Sequence, residues 1–187
     1  MFGISNRIAY DSQMVHAPGA RDSGDVSRVL GSSAWLNHDG EASTKWCASE
    51  GKILVKLLIK VAKAGIVDPD IYVITPFRIV AEELRRRLER ETKLFADLGV
   101  DQKEWIKNRV GTVHTFQGKE AETVIVVLGA PNAAQGGARN WATSIPNLLN
   151  VTVSRAKQNL YVVGSHSAWS SVGHGRELAR SLPIKNI

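Results

Sequence analysis

The sequence has 187 residues, 43% of them hydrophobic, which is long enough for one domain with a buried core and too short for two ordinary ones. It lacks the apolar run of roughly 18 residues that a membrane span needs, and Met1–Tyr10 has no secretory-signal pattern. The single cysteine, Cys47, excludes an internal disulfide, and five histidines without partners at ligand spacing argue against zinc. We therefore expect a cytoplasmic protein without a metal site, and the net charge of +6 favours polyanionic partners.

The first half of the chain begins with an irregular stretch of roughly forty residues, in which turn-forming Gly, Pro, Asp and Ser are frequent. From Ser49 onward, apolar residues recur at helical spacing, which predicts an amphipathic helix capped by Ser49 and ended by Gly65. The apolar run Ile71–Ile74 predicts a buried strand. Pro76 is then expected to open a helix that continues to about Phe95.

The second half contains two more apolar runs of the buried-strand kind, Val124–Leu128 and Leu160–Gly164. Between them we expect a loop over Ala130–Asn140 and a helix over Pro146–Lys157, and a short helix follows over Arg176–Ser181. This alternation predicts an α/β fold with a mostly parallel sheet and helices on its faces.

Polar residues that follow predicted strands are candidate ligand-binding groups, because parallel α/β sheets bind ligands at the carboxyl ends of their strands. After the Ile71–Ile74 strand, Thr75 suits an N-cap and Pro76 the first helical position. Arg78 then falls in the first turn, where the helix dipole disfavours a cation by a few tenths to about 1 kcal/mol. Arg78 is either a solvated side chain whose small cost is tolerated or a group directed at an anion beyond the strand.

The segment Gly111–Glu120 superficially resembles a phosphate-binding P-loop. Six residues separate Gly111 from Gly118, and Lys119-Glu120 follows, whereas the Walker pattern has four residues between its glycines and then Lys-Ser/Thr. The segment is therefore not a P-loop. It is either a structural turn or a polar turn whose hydroxyl, imidazole and amide groups suit phosphate oxygens.

A third segment, Asn147–Lys157, places Arg155 and Lys157 in the last turn of the predicted helix, where the dipole alone accounts for cations. The run Arg85–Arg87 is typical of a solvated helix face. The five tryptophans are candidates for stacking on nucleic-acid bases, although each also suits core or loop packing.

Taken together, the three segments resemble motifs of superfamily-1 helicases, in the order that those enzymes have them. "ITPFR" resembles motif IV, "VGTVHTFQGKEAETVIV" motif V and "LLNVTVSRAKQNLYVVG" motif VI. The resemblance covers roughly Ser49 to Pro183 and is greatest to the group with the nonsense-mediated-decay helicases and the Okazaki-fragment nuclease-helicases. The opening "MFGISNRIAYDSQMVH" more loosely resembles the stretch after motif III.

The resemblance implies a three-layer RecA-like domain of the P-loop NTPase type that lacks the P-loop itself. It divides the chain into a lead-in over residues 1–48, which follows the first motor domain and packs on the same fold, and the helicase C-terminal domain over residues 49–187. Members of this family bind ATP with Mg²⁺ in the cleft between two RecA-like domains, and the first domain holds the magnesium. The implied partners are therefore that N-terminal RecA-like domain and single-stranded DNA or RNA, with no membrane.

Site residues follow from the resemblance position by position. It implies that the arginine fingers at the γ-phosphate are Arg78 and Arg155. The residues it implies at the nucleotide are Phe77, Gln117, Gly118, Lys119 and Glu120, with Glu120 on the ribose and Gly118 allowing a close backbone approach. The residues it implies on the single-stranded backbone are Thr75, Pro76, Thr112, His114 and Thr115.

Three functions remain open from the sequence. The first is the C-terminal motor half of an ATP-dependent helicase or translocase, inactive in hydrolysis alone. The second is a stand-alone nucleic-acid-binding or regulatory module without ATP turnover. The third is an unrelated α/β enzyme that acts on a small phosphorylated ligand, although the adjacent Ser165 and His166 have no nearby acid to complete a catalytic set.

Overall fold

The computed structural model describes residues 25–42, 44–144 and 152–187, and within them the strands form one sheet. The strands are β1 Ala34–Asn37, β2 Ile71–Thr75, β3 Val110–Thr112, β4 Ala121–Val127, β5 Ala156–Val163 and β6 Ile184–Asn186. Their order is β3-β2-β4-β5-β1-β6, and every pair is parallel. The predicted α/β fold with a parallel sheet is confirmed, as are the three strands predicted from apolar runs.

Helices connect the strands and cover the sheet. The helices are α1 Asp25–Leu30, α2 Ala48–Lys63, α3 Arg78–Leu88, α4 Thr92–Asp97, α5 Gln102–Arg109, α6 Gly136–Ser144, α7 His166–Trp169 and α8 Gly175–Ser181, with 3-10 turns at Val113–Phe116 and Ala133–Gln135. Helix α2 packs against β4 and β5, and α3 packs against β2 and β3. The architecture is that of a RecA-like three-layer domain. No helix in the described part of the chain is long and apolar enough to cross a membrane.

The middle of the sheet is buried on both faces, which explains why its strands are nearly continuous apolar runs. In β4 the stretch 124–127 is at most 1% exposed, and its neighbour β5 is equally buried over 160–163. Two buried tryptophans complete the packing at the carboxyl ends of the strands. The indole Nε1 of Trp35 donates to the Gly164 carbonyl at 2.8 Å, and that of Trp169 donates to the Gly129 carbonyl at 2.9 Å.

The predicted irregular opening is wrong where the structure describes it, because it contains α1 and β1. Strand β1 has only four residues, too few to show the alternation by which strands are recognised in sequence. It is defined by its neighbours: β1 pairs with β5 on one side and with β6 on the other.

The predicted helix starts need correction. Helix α2 begins at Ala48, one residue before Ser49, and its N-cap is Cys47 without a side-chain hydrogen bond. Thr75 is not an N-cap, since it ends β2 and Phe77 caps α3. The Thr75 hydroxyl instead accepts a hydrogen bond from the Phe77 amide at 3.3 Å, so Pro76 lies in a turn between strand and helix.

The predicted helix from Pro76 to Phe95 is two helices in the structure. Helix α3 ends at Leu88, and α4 begins at Thr92 after a short polar turn. After this turn, Phe95 of α4 packs against Trp105 of α5, with their ring centroids 5.4 Å apart. Tertiary packing thus overrides local helix propensity here.

The region between β4 and β5 also differs from the prediction. The expected loop over Ala130–Asn140 contains the 3-10 turn Ala133–Gln135 and the start of α6. Helix α6 was hard to predict because it begins with two glycines, which are poor helix formers. In the structure, Asn132 and Gln135 form a capping box at the 3-10 turn before it. Of the predicted Pro146–Lys157 helix, residues 146–151 lie outside the described residues. Residues 152–154 are helical, and Lys157 belongs to β5.

Gly129 follows β4 at a point where no larger residue fits. Its φ is +66°, and a Cβ there would lie 2.5 Å from the Lys45 carbonyl oxygen and 2.9 Å from Val80 Cγ2. We expect Gly129→Ala to lower the free energy of unfolding by about 3 kcal/mol, because backbone strain and steric overlap add. Thermal denaturation should show a melting temperature lower by about 10 °C.

Gly118→Ala is the matched control for this prediction. Gly118 has a similar φ of +79°, but a Cβ there would meet nothing within 4 Å. We expect it to cost only about 1 kcal/mol, from backbone conformation alone. Equal losses for the two variants would show that the close approach to Lys45 is not what requires glycine at position 129.

Candidate functional site

The carboxyl ends of β2 and β3 bring together the residues predicted to contact a nucleic-acid backbone. Thr75 and Thr112 are register partners on these neighbouring strands. The 3-10 turn after β3 then brings Thr115 next to Thr112, with their hydroxyl oxygens 3.4 Å apart. Thr112 is half-buried, and His114 and Thr115 are exposed, so these three side chains are accessible at this edge of the sheet.

Thr75 and Pro76 are buried beneath this surface. The Thr75 hydroxyl is engaged by the Phe77 amide, so Thr75 shapes the turn into α3 in this conformation. Phe77 is buried too, and its ring lies in an aromatic group with Trp141 and Trp169, at centroid distances of 6.1 and 6.3 Å.

A short crossover over residues 113–120 joins this edge to the opposite one. It leaves the end of β3, passes β2 and enters the start of β4, which lies on the other side of β2. Phe116 anchors it, since this side chain is fully buried with its ring centroid 4.4 Å from that of Tyr72 on β2. Four of the five residues predicted at the nucleotide, 117–120, follow this anchor and are exposed immediately before β4, whereas the fifth, Phe77, is buried after β2.

Arg155 lies directly beside this exposed turn. It precedes β5, and its carbonyl accepts a hydrogen bond from the Ala121 amide at the start of β4 at 2.9 Å. Its guanidinium donates to the Lys119 carbonyl at 3.1 Å and to the Ser154 hydroxyl at 3.0 Å. The fold therefore brings the motif V and motif VI segments into direct contact, as neighbouring strand entrances.

Gly118 is the apex of this turn. Its φ of +79° is a conformation that glycine adopts without strain, and the space where a Cβ would stand is open. The turn thus presents bare backbone next to the Arg155 guanidinium, and the Lys119 and Glu120 side chains that follow Gly118 are exposed. Backbone amides and a guanidinium fork suit phosphate oxygens, and a carboxylate suits hydroxyl donors.

The structure does not bring Arg78 to this place. Arg78 begins α3 beyond the carboxyl end of β2, whereas Arg155 lies at the amino ends of β4 and β5. The seven residues of β4 separate these edges by about 20 Å at roughly 3.3 Å per residue. Arg78 is 90% exposed and its Nε donates to Glu82 at 3.1 Å, an exposed pair of little energetic weight.

A buried polar cluster that the sequence did not reveal lies at the carboxyl ends of β1 and β4. His38, Cys47 and Glu50 are buried, and their possible ligand atoms all lie within 4.8 Å of one another. His38 Nδ1 accepts from the Gly40 amide at 2.9 Å, so Nε2 carries the hydrogen and donates to Glu50 at 3.1 Å.

Glu50 is the centre of this cluster. Its second oxygen accepts from the Gly129 amide at 2.7 Å. Burial raises the pKa of Glu50, while the hydrogen bond and charge interaction with His38 and the Gly129 amide lower it. Burial, followed by the nearby Glu50 carboxylate, raises the pKa of the Cys47 thiol. A metal ion here would have to displace the His38–Glu50 hydrogen bond, so these contacts fit a structural network.

The candidate site thus consists of two clusters on opposite edges of one sheet. The carboxyl-edge cluster contains the backbone-contact candidates, and the amino-edge cluster contains Arg155 with residues 117–120. Neither has a glycine-rich loop able to enclose a triphosphate, and the sequence has no Walker pattern.

Comparison with protein families agrees with this geometry. A family model described as an AAA domain, found in the C-terminal regions of superfamily-1 helicases, matches residues 26–167 of the 187. The match begins in α1 and ends in α7, so it includes five of the six strands and both clusters. Comparison with curated proteins finds no match. The chain belongs to this AAA domain family and is a helicase-type motor domain of the superfamily-1 C-terminal kind.

Proposed function

We propose that this chain is the C-terminal motor domain of an ATP-dependent superfamily-1 helicase or translocase that moves on single-stranded nucleic acid. The observation that carries the proposal is the contact between Arg155 and the turn of residues 117–120. Two segments meet there, through the hydrogen bonds from Arg155 to Lys119, 36 residues apart in sequence, and from Ala121 to Arg155. Their meeting forms an anion-binding surface that lacks its own phosphate cradle.

The amino-edge cluster supplies one wall of an ATP site in this proposal. Arg155 contacts the γ-phosphate and stabilises the charge that spreads over it during phosphoryl transfer. Gly118 lets the nucleotide approach the backbone, Glu120 accepts from the ribose hydroxyls, and Gln117 and Lys119 complete the turn. The P-loop and the groups that hold Mg²⁺ come from an N-terminal RecA-like domain.

The carboxyl-edge cluster supplies the strand-binding surface in the same proposal. Thr112, His114 and Thr115 offer hydroxyl and imidazole donors to successive phosphates, and Thr75 and Pro76 support them from below. Such contacts are the same for DNA and RNA, because they go to the backbone. The net charge of +6 gives the domain a general attraction to the strand.

Nucleic-acid-stimulated ATP hydrolysis tests the proposal directly. We expect this chain alone to show no turnover above background, and turnover to appear when it is assayed with a P-loop motor domain and single-stranded DNA or RNA. ATP hydrolysis by the chain alone would contradict the assignment, because the chain would then need a phosphate site of its own. Single-strand binding with no turnover in either assay, unaffected by changes at Arg78 and Arg155, would instead support a binding module without ATP turnover.

A further inference from the structure

Trp141 differs from the other tryptophans of the chain in its exposure. It is 54% exposed on α6, whereas Trp35, Trp105 and Trp169 are at most 4% exposed and Trp46 is half-buried. An exposed indole loses the stabilisation that buried side chains on α6 gain when their apolar surface is removed from water. Exposed apolar surface of this kind is typical of sites that bind a partner or ligand.

The position of Trp141 places it at the strand-binding edge of the sheet. Its ring stacks on Phe77 with centroids 6.1 Å apart and an interplanar angle of 30°. Phe77 follows the Thr75-Pro76 turn at the end of β2, whose register partner β3 leads to Thr112 and Thr115. Trp141 is therefore the exposed member of an aromatic group built on this edge.

The aromatic group is held rigidly. Phe77 also packs against Trp169, whose indole nitrogen donates to the Gly129 carbonyl directly after β4. Helix α6 is tied to the same edge, because Arg139 donates to the carbonyls of Ala130 and Asn132, both at 2.6 Å. A fixed ring can receive a flat partner without first losing conformational freedom.

Two cations lie close to Phe77, the ring on which Trp141 stacks. The Lys45 ammonium lies 5.5 Å from the centroid of the Phe77 ring, and its main chain is fixed by a 2.8 Å hydrogen bond from the Ala130 amide. Arg78 immediately follows Phe77 and is 90% exposed. An exposed aromatic face in an aromatic group that also carries a cation matches a nucleotide, which has both a flat base and an anionic backbone.

We propose that Trp141 is a base-stacking platform, on which one base of the bound single strand lies while Lys45 contacts the adjacent phosphate. This inference rests on the proposed strand-binding function and adds a contact to the bases themselves. Stacking is tolerant of sequence because every base has a flat face, so Trp141 adds affinity without adding sequence preference.

Oligonucleotide binding by the wild-type chain and its variants at low salt tests the platform. We expect Trp141→Ala to weaken binding of a single-stranded oligothymidylate by about 5- to 100-fold and to leave binding of an abasic strand of the same length unchanged. Trp141→Phe should retain most of the affinity. Lys45→Ala should weaken both ligands alike and reduce the slope of log affinity against log salt by about one.

Intrinsic fluorescence gives a second readout that a purely structural role would not change. A base stacked on Trp141 should quench part of the emission of the wild-type chain, and Trp141→Phe should remove that quenching while binding persists. Trp46→Phe, at the half-buried tryptophan, is the matched control that should keep it.

Four results would overturn the inference. Equal affinity of wild type and Trp141→Ala for the oligothymidylate would exclude stacking, as would an equal loss with the abasic strand. A Trp141→Ala variant that keeps its oligonucleotide affinity but associates less tightly with a P-loop motor domain would make Trp141 a protein contact. No binding of either strand by the wild-type chain would instead count against the proposed function and the inference together.

Discussion

Arg155→Ala is expected to abolish nucleic-acid-stimulated ATP hydrolysis by this chain assayed with a P-loop motor domain, with kcat lower by about a thousand-fold or more. The reason is that the Arg155 guanidinium lies at the amino-edge turn of residues 117–120, where it donates to the Lys119 carbonyl at 3.1 Å. Steady-state turnover at saturating single-stranded DNA or RNA measures the effect.

Two control variants separate this role from a general effect of charge or folding. Arg155→Lys keeps the positive charge and removes the planar fork, so it should recover only a small part of the activity. Arg176→Ala removes an exposed arginine from α8, far along the chain from the turn, and should leave turnover unchanged. Normal turnover in Arg155→Ala would remove Arg155 from the catalytic set.

Arg78→Ala in the same assay decides between two places for Arg78. A second finger at the γ-phosphate, as the resemblance implies, should show a large loss of kcat at saturating strand. A contact at the carboxyl edge, where the structure has this residue, should raise the strand concentration needed for half-maximal turnover and leave kcat nearly unchanged.

Glu50→Ala is expected to lower the free energy of unfolding by about 3–5 kcal/mol, the largest stability effect that we predict. Glu50 is fully buried and accepts from the Gly129 amide and the His38 ring, so alanine leaves two buried donors without an acceptor. The melting temperature should fall by about 10 °C or more. Glu122→Gln, a change of an exposed glutamate on β4, is the control and should change it little.

Glu50→Gln is expected to alter how stability depends on pH. Burial raises the pKa of Glu50 above its ordinary 4.5, so the folded state holds this proton more tightly than the unfolded state. The contribution of Glu50 is then greatest below pH 4.5 and declines as pH rises through the folded-state pKa. Denaturant titrations across this range should show that decline in wild type and not in Glu50→Gln. A wild-type advantage that grows with rising pH would mean that hydrogen bonds outweigh burial at Glu50.

The sequence predicted best those elements whose signal is local and continuous. Ile71–Thr75, Ala121–Val127 and Ala156–Val163 were recognisable because strands buried on both faces are apolar runs. Helix α2 was recognisable because its apolar face repeats over sixteen residues. The parallel sheet followed from the alternation of these elements.

The elements that were missed depend on partners distant in the chain. Strand β1 is four residues long and exists through its pairing with β5 and β6. Helix α6 begins with two glycines, and the 3-10 turn before it is stabilised by the capping box of Asn132 and Gln135. The cluster of His38, Cys47 and Glu50 has no ligand-like spacing in sequence and forms only when β1 meets the start of α2.

For the candidate site, motif resemblance predicted a set of residues, and the structure shows how they are distributed over the sheet. The resemblance grouped Arg78 with Arg155, although strand register separates them by the length of β4. It also grouped Thr75 with Thr112 on the single-stranded backbone, and strand register makes these two residues neighbours. Such relations depend on strand order, and the sequence alone does not state that β2 lies between β3 and β4.

The crossover from β3 to β4 acts as a fixed spacer between the two edges of the domain. Only eight residues, 113–120, connect the Thr112 end of β3 with the first residue of β4, and the buried Phe116 ring pins their midpoint to Tyr72. So short a path, anchored at its midpoint by Phe116, limits how far the two clusters can move apart. A movement of the strand-binding edge at Thr112 is therefore expected to displace the turn of residues 117–120 at the opposite edge.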